Sequence, residues 1–447
     1  MASGFMLLVI FVVAIAFIIL MTAKVQMNAF YVLIITTLAV GLASGLPMQK
    51  IVNTIKEGFG NTLGYIGIVI ICGTTIGVIL ERSGAAFSLA DSILKIVGQK
   101  AVPFAMSLSG FIVGIPIFCD SAFVVLSSLN KALAERAKIS MSVMAVALAT
   151  ALYSIHCLIP PHPGATAAAG IVGVDLGKLI MLGLPIAIFP TITGFLWAIK
   201  IGGKFYIPAR PDVTYEELKQ KHQKLPHPLH SAVPIIIPVA LIALKSIGQL
   251  PTHPFGEGAF FNTILLIGDP QVALLIGVLL ALTLVRFWSK EVLGKWLLEG
   301  VEKAGVILAI TAAGGTFGAM LKVTPIGEYI ATGLSKLGLG IFLPFLIAAA
   351  LKTAQGSSTV AIITAGAIVA PMLQKLGLGG NWGPTLAVLA MGAGSMIASH
   401  ANDSYFWVVV RFSDLDVSTA LKTYTTSTII TGLTAMIMVT ILYFILV

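Results

Sequence analysis

The sequence predicts an all-α polytopic membrane protein: two inverted repeats of about five transmembrane helices, each repeat holding a re-entrant hairpin and a broken helix. Three observations predict it. The 447 residues are 57% hydrophobic and only 10% charged, with a mean hydropathy of +1.01, which no soluble domain of this length carries. Four segment pairs recur in the same order in the two halves of the chain. And the run Ser399-His400-Ala401-Asn402-Asp403-Ser404 places polar residues between apolar flanks, where lipid offers no hydrogen bonds.

Apolar stretches long enough to cross a bilayer fall at 5-22, 29-46, 64-80, 142-159, 178-200, 232-250, 270-287, 303-321, 384-399 and 425-447. The first lacks the basic flank of a cleavable signal and reads as a permanent span. The three cysteines, Cys72, Cys119 and Cys157, lie in apolar surroundings, which favours buried thiols over disulfides, metal ligation or redox chemistry. The formal charge of +9 is scattered over short loops rather than gathered into a stripe, so nucleic acid is excluded.

Most of the 27 Lys and Arg fall on one side when the amino terminus is placed outside. Inside loops carry Lys95, Lys100, Lys131, Arg136, Lys138, Lys219, Lys221, Lys224, Arg286, Lys290 and Lys295, among others. The sparser outside set is Lys50, Lys56, Lys178, Lys245, Lys322, Lys336, Lys352 and Lys375. Both termini are therefore expected outside the cytoplasm.

The repeated pairs lie about 241 residues apart. Gly73-Thr74-Thr75-Ile76-Gly77 matches Gly314-Gly315-Thr316-Phe317-Gly318, and Asp120-Ser121 falls opposite Ser357-Ser358. Next, Ser154-Ile155-His156 matches Ala398-Ser399-His400. Last, Val174-Asp175-Leu176-Gly177 mirrors Leu415-Asp416-Val417-Ser418, each Asp placed to cap the following helix. An odd number of crossings per half turns the second copy upside down in the membrane. Inverted repeats with interrupted helices are the architecture of secondary transporters, with substrate and coupling ion near the midplane.

The organisation that follows is a first repeat at 1-200, a linker at 201-230 and a second repeat at 231-447. The linker alone looks soluble, with Thr214-Tyr215-Glu216-Glu217-Leu218-Lys219 as a short capped helix, and it is too short for a catalytic domain.

Candidate chemistry sits at the tips and breaks. In the first hairpin, segments 103-118 and 121-134 meet at Phe118-Cys119-Asp120-Ser121-Ala122. Asp120 there is either a proton carrier or the N-cap of the second segment. The second hairpin turns at Gln355-Gly356-Ser357-Ser358-Thr359-Val360, where hydroxyls and free amides converge on a helix start that attracts anions. His156 precedes the break Pro160-Pro161-His162-Pro163-Gly164-Ala165-Thr166, which no continuous helix accommodates. His156 and His400 occupy matching places and serve as hydrogen-bond donors or proton carriers. Asn402 can both donate and accept, which suits a polyhydroxylated ligand. Asp403 either caps the next half-helix or takes a proton. The Gly-xxx-Gly spacings at Gly73 and Gly314 signal close helix packing.

At these motifs the chain resembles the gluconate permease family of proton symporters, within the larger ion-transporter superfamily. The likeness is carried by Phe118-Cys119-Asp120, by Pro160-Pro161-His162-Pro163-Gly164 with Ala167-Ala168-Ala169, by Gln355-Gly356-Ser357-Ser358-Thr359-Val360, and by Ser399-His400-Ala401-Asn402-Asp403-Ser404 with Phe406-Trp407. The resemblance implies proton-coupled uptake of a small sugar acid or hydroxy acid, gluconate-like or glycerate-like, across a bacterial inner membrane, with no cofactor. It also implies a homodimer, with a scaffold (1-50 and 231-290) and an elevator-type transport domain (60-200 and 300-447). Ser121-Ala122 and His162 depart from the family pattern.

In the mechanism expected, the carboxylate rests on the helix start after Ser357-Ser358-Thr359, with Gln355 and Gly356 in the same turn and Ser121 and Thr166 assisting. Asn402, His156 and His400 read the hydroxyls. Asp120, with Asp403 as second choice, binds the proton. Sodium coupling is the nearest rival; a membrane-embedded enzyme using an Asp pair and a passive channel are the others.

Overall fold

The computed structural model describes residues 4–98, 101–211, 214–215, 217–218, 225–249, 254–256, 258–285, 287–326 and 338–447. The linker positions Glu216 and Lys219 and the loop cations Lys100, Lys221, Lys224, Arg286 and Lys336 lie outside the described residues.

The first half opens with α1 (Phe5–Ile19), which is apolar throughout, and α2 (Ala29–Ala43), capped by Asn28, whose side chain accepts from the Phe30 amide at 2.9 Å. Pro47 then starts α3 (Met48–Arg82), 35 residues long. It begins well before the expected span at 64-80, so Lys50 and Lys56 ride on its first turns rather than in a loop. After α4 (Ala85–Val97) come the hairpin α5 (Val102–Val113) and α6 (Cys119–Ala137), the interrupted pair α7 (Met141–Leu158) and α8 (Pro163–Val172), and α9 (Leu176–Lys200).

The second half runs α10 (Pro228–Gly248), α11 (Ala259–Ile267), α12 (Pro270–Leu282) and α13 (Glu291–Val323). The hairpin α14 (Phe342–Gln355) and α15 (Ser358–Val369), the pair α16 (Gly383–Ser395) and α17 (Ser404–Phe412), and α18 (Val417–Leu446) complete it. Seven helices among the described residues are long and apolar enough to cross a membrane, eight if the pair α11 and α12, bent by 68°, counts as one. Three expected spans, 29-46, 270-287 and 384-399, come out shorter, as helices of 15, 13 and 13 residues. The left-handed Gly45 ahead of Pro47 ends the first, and the turn through Ala398 (φ 53°) ends the last.

The helix caps read from sequence at Asp175 and Asp416 form. Asp175 accepts from the Lys178 amide at 2.9 Å, Asp416 from Thr419 at 2.9 Å, and Asp269 from Gln271 at 3.1 Å. In the linker, Thr214 and Glu217 bond each other's backbone amides at 2.8 and 3.3 Å, and Tyr215 donates to Asp91 of α4 at 2.7 Å. This short segment is pinned to the first half.

Every residue of α7 is buried, so the break that follows it lies deep in the protein. The Gly-xxx-Gly positions on α3 and α13 press on the two hairpins. A methyl group on Gly77 would meet the Pro116 carbonyl of the first hairpin at 2.8 Å, and one on Gly318 would meet Ala367 of α15 at 3.2 Å. The long helices thereby hold both tips against the centre.

Candidate functional site

Both hairpin tips and both breaks open onto one cavity of about 230 Å³. The first tip contributes Phe118, Cys119 and Asp120; the second contributes Ser357, Ser358 and Thr359. Tyr153, His156 and Pro163 come from the first break, Asp403 and Ser404 from the second, and Ile307 and Ile310 of α13 close an apolar wall. Four helices, α6, α8, α15 and α17, begin at this wall. Each helix start presents amides without intrahelical acceptors and about half a positive charge.

The first turn of α15 shows how the sequence makes such a start. Gly356 takes φ 87°, which the turn requires, and Ser357 caps the helix by accepting from the Val360 amide at 3.2 Å. The amides of Ser358 and Thr359 remain for a ligand. A methyl on Gly356 would run into the Asn402 carbonyl. Gly356→Ala is therefore expected to cost about 2 kcal/mol or more, read as a lower thermal unfolding midpoint in detergent; an unchanged midpoint would show that the second break yields freely.

One charged group at the site escaped sequence reasoning. Lys352, counted above among loop cations, is fully buried on α14, with its Nζ 2.6 Å from Asp403 Oδ2 and bonded to the Gly356 carbonyl. It is a site residue, not a loop residue. Its isolation in an otherwise uncharged stretch from Gly338 to Gln374 was the available signal, since a lone cation at membrane depth needs a partner.

The same contacts separate the two aspartates. Asp403 is saturated: Oδ1 accepts from the Tyr405 amide at 3.0 Å, and Oδ2 from Lys352 and, at 2.5 Å, from Ser399 Oγ. It caps α17. Asp120 is not a cap, because Phe118 holds that position without a side-chain bond. Its described contact is the Cys119 thiol at 3.6 Å, so its carboxylate stands open at the cavity.

The breaks are braced across the two halves. Tyr153 donates to the Ser395 carbonyl and Tyr405 to the Ala149 carbonyl, each at 3.1 Å, with their rings stacked 5.5 Å apart. Thr428 donates nothing to the second break but accepts from the Ser399 amide at 3.0 Å, while Thr425 donates to the Ser399 carbonyl at 2.6 Å. Backbone that has left the helix is thereby satisfied inside protein.

The other expected residues stand off the cavity. His400 and Asn402 both donate to the Thr353 carbonyl near the end of α14, at 3.2 and 2.9 Å. Ser121 turns to a small pocket beside Glu81 and Lys303. Thr166 is fully buried on α8 with an unpartnered hydroxyl, and Gln355 accepts from Thr22 of the α1 extension at 3.3 Å. So Asp120, His156, Ser357, Ser358, Thr359 and Asp403 are brought together, and the rest surround them.

A family profile described as GntP family permease matches residues 6–445. The chain belongs to this permease family. The permease is 34% identical to the gluconate permease of Pseudomonas aeruginosa, over 99% of each chain. It is 32% identical to the D-serine transporter DsdX of Escherichia coli K12, over 95% of each. Among solved structures it resembles MtrF of Neisseria gonorrhoeae, with a TM-score of 0.67 and 16% identity over 95% of this chain and 96% of that one, a likeness of fold. It is thus a multi-pass membrane permease and not an enzyme.

Proposed function

We propose that this permease carries a small hydroxylated monocarboxylate into the cytoplasm together with a proton. The observation that carries the reading is the meeting of four helix N-termini at one cavity with Asp120 as its open carboxylate. The substrate carboxylate lies on the α15 start at Ser358 and Thr359, and His156 meets a hydroxyl. Relatives named for gluconate and for D-serine fit a carboxylate with polar substituents.

Charge explains the coupling. Lys352 and Asp403 cancel, which leaves Asp120 as the unbalanced group. An ionised Asp120 about 6 Å from an anionic substrate, at an effective dielectric of about 20, repels it by roughly 3 kcal/mol. A proton on Asp120 removes that repulsion, so anion and proton bind together. Inverted repeats, with the tips and breaks moving past a scaffold in a homodimer of the bacterial inner membrane, and both termini outside, complete the reading; the recurring order of long helix, hairpin, interrupted helix and final helix in each half supports it.

Counterflow in proteoliposomes with labelled gluconate, glycerate and D-serine tests it, and exchange of none of them would overturn it. In sodium-free buffer an imposed pH gradient, alkaline inside, is expected to drive accumulation; accumulation that needs sodium instead would replace the proton. Ser358→Ala is expected to weaken apparent affinity about 5- to 10-fold with normal expression, since one hydrogen bond near a charged group is lost. Unchanged affinity would remove the Ser358 hydroxyl from the site and leave the carboxylate to the main-chain amides, which the substitution keeps.

A further inference from the structure

Two buried imidazoles decide what His156 shows the cavity. His162 is 1% exposed, and its Nε2 lies 2.7 Å from the Gly114 carbonyl at the end of α5. A carbonyl oxygen only accepts, so this nitrogen carries a hydrogen. The Nδ1 atoms of His156 and His162 are 3.2 Å apart, a contact that needs one hydrogen between them. If His162 supplied it, that ring would hold hydrogens on both nitrogens and a full positive charge, buried with no acidic side chain among its described partners. The neutral arrangement has His156 donating from Nδ1 to His162. Nε2 of His156 is then a bare lone pair, at the cavity and 3.5 Å from Thr359 Oγ1.

We propose that His162 is a positioning residue that holds His156 as a hydrogen-bond acceptor, so that the site selects acids bearing a donor, hydroxyl or ammonium, on the carbon next to the carboxylate. Thr359 supplies the link. Its amide belongs to the helix start that takes the carboxylate, and its hydroxyl reaches His156 Nε2, so the substituent at carbon 2 falls beside that lone pair. A 2-keto acid would set an acceptor against an acceptor. A 2-deoxy acid would offer nothing. This selectivity deepens the transport reading above and rests on it.

The test is counterflow by the full-length protein in proteoliposomes, with D-glycerate, 3-hydroxypropionate and hydroxypyruvate as competitors, three-carbon acids that differ only at carbon 2. D-Glycerate is expected to compete at least about tenfold better than either of the others. In His162→Phe, which keeps a ring and removes both nitrogens, His156 is free to take either tautomer and the preference is expected to fall to about twofold or less, whereas a merely structural role would weaken all three acids alike. Equal competition in the wild type, or an undiminished preference in His162→Phe, would overturn the proposal. Should His162→Phe fail to fold, the ¹⁵N chemical shifts of histidine-labelled wild type decide, with His156 assigned by difference from His156→Gln. A hydrogen on Nδ1 and a bare Nε2 support the proposal, and the reverse overturns it. If no acid exchanges at all, the transport reading fails and takes the selectivity with it; normal exchange without preference overturns the selectivity alone.

Discussion

Asp120→Asn is expected to abolish accumulation driven by a pH gradient while leaving exchange between two loaded compartments largely intact. One proton moved with each anion across a gradient of one pH unit sustains about tenfold accumulation, because that gradient is worth about 1.4 kcal/mol. In the variant the ratio falls towards one. Asparagine keeps the size of the side chain and can never carry the negative charge, so the cavity stays permanently in its anion-accepting state. A second signature follows from the sign of the charge effect. Wild-type affinity for the anion weakens as pH rises and Asp120 ionises, by up to about a hundredfold for a repulsion of roughly 3 kcal/mol. Asp120→Asn flattens that dependence. Undiminished gradient-driven accumulation in the variant would remove Asp120 from coupling, and Asp403 offers no ready substitute, since both its oxygens already accept hydrogen bonds.

The second large effect concerns the buried pair. Lys352→Met leaves the Asp403 carboxylate buried without its cation, and Asp403→Asn strands the ammonium of Lys352. Each single change is expected to cost about 3–5 kcal/mol, enough to deplete folded protein from the membrane. The double variant Lys352→Met with Asp403→Asn removes both charges, and asparagine still caps α17. It is expected to recover most of the loss in thermal unfolding. A double variant as damaged as the sum of the two singles would show that the charges do not depend on each other.

Much of this molecule was legible in the chain because lipid narrows the choices. Pro160-Pro161 cannot continue a helix, and the polar run at 399-404 needs hydrogen-bond partners that lipid does not offer; in a bilayer such breaks survive only inside protein, so their place was set by composition alone. The turn at Gly356-Ser357 was equally plain, since glycine supplies the left-handed residue and serine the cap. Asp175 and Asp416 marked helix starts by the same chemistry.

Other residues were misplaced for a definite reason. Lys352 looks like a loop cation because charge is normally solvated, and only the approach of the second break, 51 positions later in the chain, supplies its partner. His400 matches His156 in the repeat, yet its ring turns to the Thr353 carbonyl instead of the cavity. Ser121 follows Asp120 directly, and successive residues on a helix face different directions, so the two look into different pockets. His162 reads as a family departure until Gly114 and His156 are placed on either side of it.

The sequence by itself determined the membrane environment, the helical class, the positions of tips, breaks and caps, and the family, because each follows from local backbone chemistry or from the absence of water. Only the tertiary structure decided which polar groups face one another: that Asp403 is neutralised by Lys352, that Asp120 stays open, and that His162 orients His156. Those outcomes depend on distances of a few ångströms between segments far apart in the chain, and at membrane depth the partner a charge finds, rather than the charge itself, determines what it does.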